Sequence, residues 1–303
     1  MTDYQTLIDA PTWAFIAKTN ASYPENTATL SIADQRAIYD RMCAAFDSPY
    51  PPGVTSHDQP IAGVPCRVYP GVQPTVLYLH GGGFVVGGLH SHDGICADIR
   101  GATGLTVVSA DYRLSPEHKH PAAFDDACAV ARALAAQGPL ILVGDSAGAN
   151  LAAATCHALR DETRQIKGQV LIYPGLGGEL DRGSALTHAH APMLTRDDLL
   201  FYRDIRHGHT PPDADPTVSP LQNTDFTGLP PTLAIAAECD PLADDAPAYA
   251  AKITEAGGRA HSVVEKGLVH GYLRGRHSVP RVTESFARIT AAITAFAEDR
   301  WPF

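Results

Sequence analysis

The chain has 303 residues and a formal net charge of −10, from 33 acidic and 23 basic side chains. That balance excludes a nucleic-acid-binding surface, which needs a clustered positive field, and no apolar run reaches the length that spans a membrane. The opening MTDYQTLIDA lacks a secretory signal, and six scattered cysteines (Cys43, Cys66, Cys96, Cys128, Cys156, Cys239) without a Cys-x-x-Cys pair fit reduced thiols, so a soluble cytoplasmic protein is expected.

Apolar spacing predicts two amphipathic helices over 7–18 and 30–46, the second carrying Ile32, Ile38, Met42 and Phe46. The stretch Ser48-Pro49-Tyr50-Pro51-Pro52-Gly53 then breaks the chain as a linker. From Val64 onward the pattern alternates. Strands are expected over 64–69, 75–80, 105–110, 140–143, 169–173, 232–237 and 261–265, and helices over 92–102, 122–137, 147–160, 196–205, 244–256 and 280–298. Several strands are continuous apolar runs, the mark of a sheet covered on both faces. The alternation predicts an α/β architecture with a mostly parallel, doubly wound central sheet. Between 173 and 232 no strand is expected, only glycine-rich turns, one helix and the proline-rich 210–220. An insertion of that length forms a lid or binding surface, here with the N-terminal helices over the carboxyl edge of the sheet.

The chain is organised around Gly144-Asp145-Ser146-Ala147-Gly148, between the apolar run Leu140-Ile141-Leu142-Val143 and the helix-forming Ala149-Asn150-Leu151-Ala152-Ala153. A strand that turns sharply into a helix through Gly-x-Ser-x-Gly lifts the serine hydroxyl to the sheet's carboxyl edge. Serine is a poor nucleophile by itself and needs a base, with a third group to orient that base. The expected order is acid, then histidine, on loops after later strands. Asp240 follows the strand at 232–237 and His270 follows the strand at 261–265, so both occupy the required loops. Glu238 is a weaker rival acid, and Asp244 and Asp245 read as charges complementing a helix N-terminus. Among 14 histidines, His261 belongs to a strand and is expected to point into or across the sheet, His277 lies past the loop and His157 sits inside a helix.

An acyl-transfer transition state develops an oxyanion, which backbone amides must meet. His80-Gly81-Gly82-Gly83-Phe84 follows the strand at 75–80, and its bare amides, with that of Ala147, make up to three donors. A dinucleotide loop fails on spacing, because the position that would need glycine is Val86. His80 reads as a structural hydrogen-bonding group of this loop.

The pairing of HGGGF at 80–84 with GDSAG at 144–148 resembles the hormone-sensitive-lipase-like family of bacterial serine esterases. DYRLSPE at 111–117, PAAFDD at 121–126, DPLAD at 240–244 and HGY at 270–272 resemble it too, with Ser115 standing where the family usually has alanine. The resemblance covers about residues 64 to 300. It implies an α/β-hydrolase fold with a helical cap, in which residues 1–50 contribute to the cap and 51–303 form the catalytic domain with a cap insertion at about 176–225. It further implies a Ser146–Asp240–His270 triad, oxyanion donors at Gly82, Gly83 and Ala147, and hydrolysis of short-chain carboxylic esters without a cofactor.

The other signals are weaker. Four His-x-His pairs (His90/His92, His118/His120, His188/His190, His207/His209) lack a completing cluster, so no metal site is expected. Asp111-Tyr112-Arg113 reads as a packed network supporting the glycine loop, while Met193, Leu194, Phe201 and Tyr202 are candidates for an acyl pocket or for helix packing. An amidase or aryl-formamidase would use the same machinery. A small-molecule receptor on a silenced hydrolase scaffold commonly loses the histidine that stands here as His270. The strand near His261 is a candidate sheet edge at which two copies could pair.

Overall fold

A computed structural model describes residues 2–24, 27–208 and 215–303. In chain order the helices are α1 (Tyr4–Leu7), α2 (Ala10–Asn20), α3 (Ile32–Ala44), α4 (Asp93–Thr103), α5 (Ala122–Ala135), α6 (Ala147–Leu159), α7 (Ser184–Thr187), α8 (Arg196–His207), α9 (Asp245–Glu255) and α10 (Pro280–Ala297). The strands are β1 (His57–Ile61), β2 (Val64–Tyr69), β3 (Val72–Leu79), β4 (Leu105–Ala110), β5 (Leu140–Asp145), β6 (Ile166–Ile172), β7 (Thr232–Cys239) and β8 (Ala260–Val269). They form one sheet in the order β1-β2-β4-β3-β5-β6-β7-β8. β2 runs antiparallel to both neighbours, and every pairing from β4 to β8 is parallel.

The continuous apolar runs are explained by the two covered faces. Leu77, Leu79, Leu140, Leu142 and Leu171 point to one side, where they pack with α5, α6 and α9 through Ala127, Val130, Leu151, Ala152, Tyr249 and Ile253. Their alternates Val76, Tyr78, Ile141, Val143 and Val170 point to the other, against α4 and α10 through Ile95, Ile99, Val282, Ile289 and Ile293. Each such fully buried aliphatic side chain contributes roughly 1.5–3 kcal/mol relative to exposure. This core makes the carboxyl edge of the parallel strands a rigid platform.

Three departures from the sequence expectation have physical causes. β1 was not expected, because His57-Asp58-Gln59-Pro60-Ile61 is mostly exposed and polar. It is an edge strand, joined to β2 by the two-residue turn Ala62-Gly63 with φ of +49° and +84°. The single N-terminal helix expected over 7–18 is two helices, since the Asp9 carboxylate accepts the Thr12 amide at 3.0 Å and starts α2 afresh. β8 runs on to Val269, and it forms the edge of the sheet opposite β1.

Candidate active site

Ser146 stands between β5 and α6 with φ +53° and ψ −117°, a conformation L-residues rarely adopt. The turn closes only because its neighbours lack side chains: a Cβ on Gly148 would sit 1.9 Å from the Leu79 carbonyl oxygen, and one on Gly144 2.4 Å from the Gly148 backbone. The Ser146 amide donates to the Ile172 carbonyl at 2.9 Å, while its hydroxyl makes no helix-capping bond and is free for another partner.

That partner is His270. β7 and β8 pair with Cys239 opposite Val269, so the next residues, Asp240 and His270, leave the sheet side by side. The His270 Nδ1–H donates to Asp240 Oδ2 at 2.7 Å, and the Ser146 hydroxyl donates to Nε2 at 2.8 Å. The carboxylate partner fixes the tautomer, since Asp240 can only accept. Asp240 is fully buried, and its Oδ1 accepts the Leu242 amide at 2.9 Å. The ring of Tyr173, the residue after β6, lies 4.9 Å from the imidazole between centroids.

The rival acids are engaged elsewhere. Glu238 accepts from Lys266 Nζ at 2.7 Å and from the Gly267 amide at 2.8 Å. Asp244 and Asp245 begin α9 as expected, but their carboxylates hold a loop and do not merely complement the helix end. Asp244 accepts the Ser184 amide at 2.7 Å, and Asp245 those of Leu176 at 2.6 Å and Gly178 at 3.3 Å. Burial pushes the Asp245 carboxyl up to about 7, with the charges of Asp240 and Asp244 adding to the rise and the two amides opposing it.

The glycine loop is pinned to the serine turn by Asp145. Its Oδ1 accepts the Gly81 amide at 2.9 Å and the Tyr78 hydroxyl at 2.8 Å, its Oδ2 accepts the Tyr173 hydroxyl at 3.3 Å, and His92 Nε2 stands 3.3 Å away. Burial alone would raise this carboxyl, but His92, Arg274 and the Tyr78 hydroxyl together hold it well below the usual carboxylate range. Gly82 and Gly83 then adopt φ of +128° and +60°, conformations open to glycine. Among the described residues no protein group accepts from the amides of Gly82, Gly83 or Ala147. His80 is a structural group: fully buried, it donates from Nδ1 to the Gly81 carbonyl at 2.8 Å and stacks on Tyr112 at 4.2 Å. Tyr112 in turn donates to the His80 carbonyl at 2.6 Å, and Arg113 forks onto Asp126, so the segment 111–113 braces the loop.

From the sequence, Asp145 and Tyr173 have no assigned role, and His92 counts only as half of a His-x-His pair. The first two carried a signal, since one neighbours the serine and the other ends the parallel strand beside it. Tyr202 of α8 covers the glycine loop, because a Cβ on Gly83 would lie 2.6 Å from its ring. Phe201 packs edge-on to Tyr202 with centroids 5.6 Å apart, Leu194 is buried, and Met193 packs against the core. His157 is buried against Phe226 and bonded to Asn223, His261 is exposed and stacked on Phe303, and His277 faces Asp98. His261 therefore leans outward from an edge strand instead of pointing into or across the sheet. Among the described residues no group of three His, Cys, Asp or Glu could hold a metal ion; His209 and residues 210–214 lie outside the described residues. No helix of the described residues is long and apolar enough to cross a membrane, and all six cysteines are free and buried.

A family model for the α/β-hydrolase fold matches residues 76–274. The chain is similar to a carboxylesterase, NlhH, of Mycobacterium tuberculosis, with 37% identity over 255 residues that cover 77% of this chain and 78% of that protein. It is also similar to an ethyl acetate hydrolase of Pseudomonas putida, with 33% identity covering 72% of each chain. Among solved structures, a thermostable esterase from Pseudomonas putida superimposes with a TM-score of 0.89 at 25% identity, over 96% of this chain and 98% of that one.

Proposed function

This chain belongs to the hormone-sensitive-lipase-like family of α/β hydrolases and is a carboxylic ester hydrolase, and we propose that it cleaves short-chain acyl esters through Ser146, His270 and Asp240. The observation that carries the reading is the chain of contacts from hydroxyl to imidazole to buried carboxylate, at 2.8 and 2.7 Å. In this reading the Ser146 oxygen attacks the ester carbonyl as His270 Nε2 takes its proton. Asp240 holds the tautomer and stabilises the imidazolium. The tetrahedral oxyanion is met by the amides of Gly82, Gly83 and Ala147, which have no protein acceptor among the described residues, in support of that role. His270 then protonates the departing alcohol, the acyl-enzyme forms, and a water activated by the same imidazole releases the acid. The steps are complete without a cofactor.

In the same reading, residues 1–50 and the insertion at about 176–225 form a cap, supported by Arg36 of α3, which donates to the Val85 carbonyl at 2.8 Å, and by Tyr202 over Gly83. Six free thiols support work in a reducing cytoplasm, and the position of β8 at the end of the sheet supports pairing with a second copy. A panel of p-nitrophenyl esters with two to twelve acyl carbons tests the substrate class. The expected kcat/KM is highest at two to six carbons; a maximum at ten or twelve would overturn the short-chain assignment.

A further inference from the structure

We propose that Tyr39 of α3 donates a hydrogen bond to the alcohol half of the bound ester, so that the enzyme favours esters whose alcohol carries a further oxygen. This rests on the Ser146–His270 reading above. Arg274, four residues past His270, is buried in the turn Tyr272–Gly275. Its Nη1 lies 3.8 Å from where a Cβ on Gly271 would stand, so the guanidinium folds back beside the residue that follows His270. Nη2 donates to the Tyr39 hydroxyl at 2.5 Å, and Nε to Cys43 Sγ at 3.2 Å. Among the described residues no carboxylate lies within ion-pair distance of this guanidinium.

The direction of the contact is decided by chemistry. A guanidinium has only donors, so the Tyr39 oxygen accepts and its hydrogen is left for another group. Among the described residues nothing takes it. Tyr39 shares the inward stripe of α3 with the buried Gln35, Ile38, Met42 and Cys43, yet it keeps accessible surface. Burial raises its phenol well above the ordinary value against the opposing pull of Arg274, so it stays a donor at every working pH. Accepting from a cation also polarises the phenol and strengthens the bond that it gives.

His270 hands its proton to the leaving alcohol, so the space beside the His270 turn belongs to the alcohol half. An ether, hydroxyl or carbonyl oxygen there satisfies the Tyr39 donor; a hydrocarbon chain leaves it unmet.

Butyl acetate and 2-methoxyethyl acetate differ by one CH2-to-oxygen exchange and form the test pair, with their alkaline hydrolysis rates giving the intrinsic ratio. The wild type is expected to favour the methoxyethyl ester by about fivefold in kcat/KM beyond that ratio, the size of one neutral hydrogen bond. Tyr39→Phe, with its fold checked by thermal melting, should lose about fivefold more on the methoxyethyl ester than on butyl acetate. Equal losses on both esters, or a preference that survives the substitution, would overturn the proposal. A Tyr39-dependent preference for methyl methoxyacetate over methyl butanoate would do so too, because it puts the contact on the acyl side. Failure of the folded wild type to hydrolyse either ester or p-nitrophenyl acetate would overturn the triad reading together with this one.

Discussion

Asp145 Oδ1 accepts the Gly81 amide at 2.9 Å, so the residue preceding Ser146 in the chain also holds the glycine loop in place. The same carboxylate gathers the hydroxyls of Tyr78 and Tyr173, and Tyr173 packs on the His270 ring. One buried anion therefore sets three parts of the site relative to one another. Asp145→Asn keeps the shape but places an amide among groups that donate to it. The expected outcome is a kcat lower by about 10- to 100-fold, the size of a misplaced oxyanion donor. A kcat within twofold of wild type would show that the loop is held by other contacts.

The same carboxyl is held below its ordinary value, so its stabilising contribution is present above the unfolded value near 4 and is lost as pH falls below it. Asp245 has the opposite sign. Its folded value of about 7 lies above the unfolded one, so its contribution is fully present below about 4 and is lost as pH rises through about 7. Melting temperatures across pH 4 to 8 should therefore show Asp245→Asn losing less stability with rising pH than the wild type. Parallel profiles would contradict the assigned burial of this charge.

Asp240 and Glu238 are two residues apart, yet only Asp240 reaches the imidazole. Asp240→Asn should lower kcat by about 10³- to 10⁴-fold, because the imidazole is then held in the wrong tautomer. Glu238→Gln should stay within a few fold of wild type. Steady-state kinetics on p-nitrophenyl acetate checks both, and a reversed order would exchange the roles of the two acids.

Most of the core was legible because burial on both sheet faces writes itself as unbroken apolar runs, as in Leu140-Ile141-Leu142-Val143. β1 was hidden because an exposed edge strand has no such constraint: His57-Asp58-Gln59-Pro60 reads as loop. Ser146, Asp240 and His270 could be read from position, since each follows a strand that ends at the same edge. The contacts of Asp145 and Tyr39 could not. They depend on Tyr78, Tyr173 and Arg274, which only the folded chain brings together. Asp244 and Asp245 read as helix-starting acids, but their hold on Leu176, Gly178 and Ser184 spans 60 to 69 residues of sequence and leaves no local pattern.

The most direct measurement compares wild type and Ser146→Ala, first for turnover of p-nitrophenyl acetate and then for covalent labelling by a fluorophosphonate, read by intact mass. The expected result is a single adduct on the wild type, none on the variant, and a rate lower by about a million-fold. A variant that keeps a tenth of the wild-type rate, or that still takes the label, would contradict the assignment of Ser146 as the nucleophile.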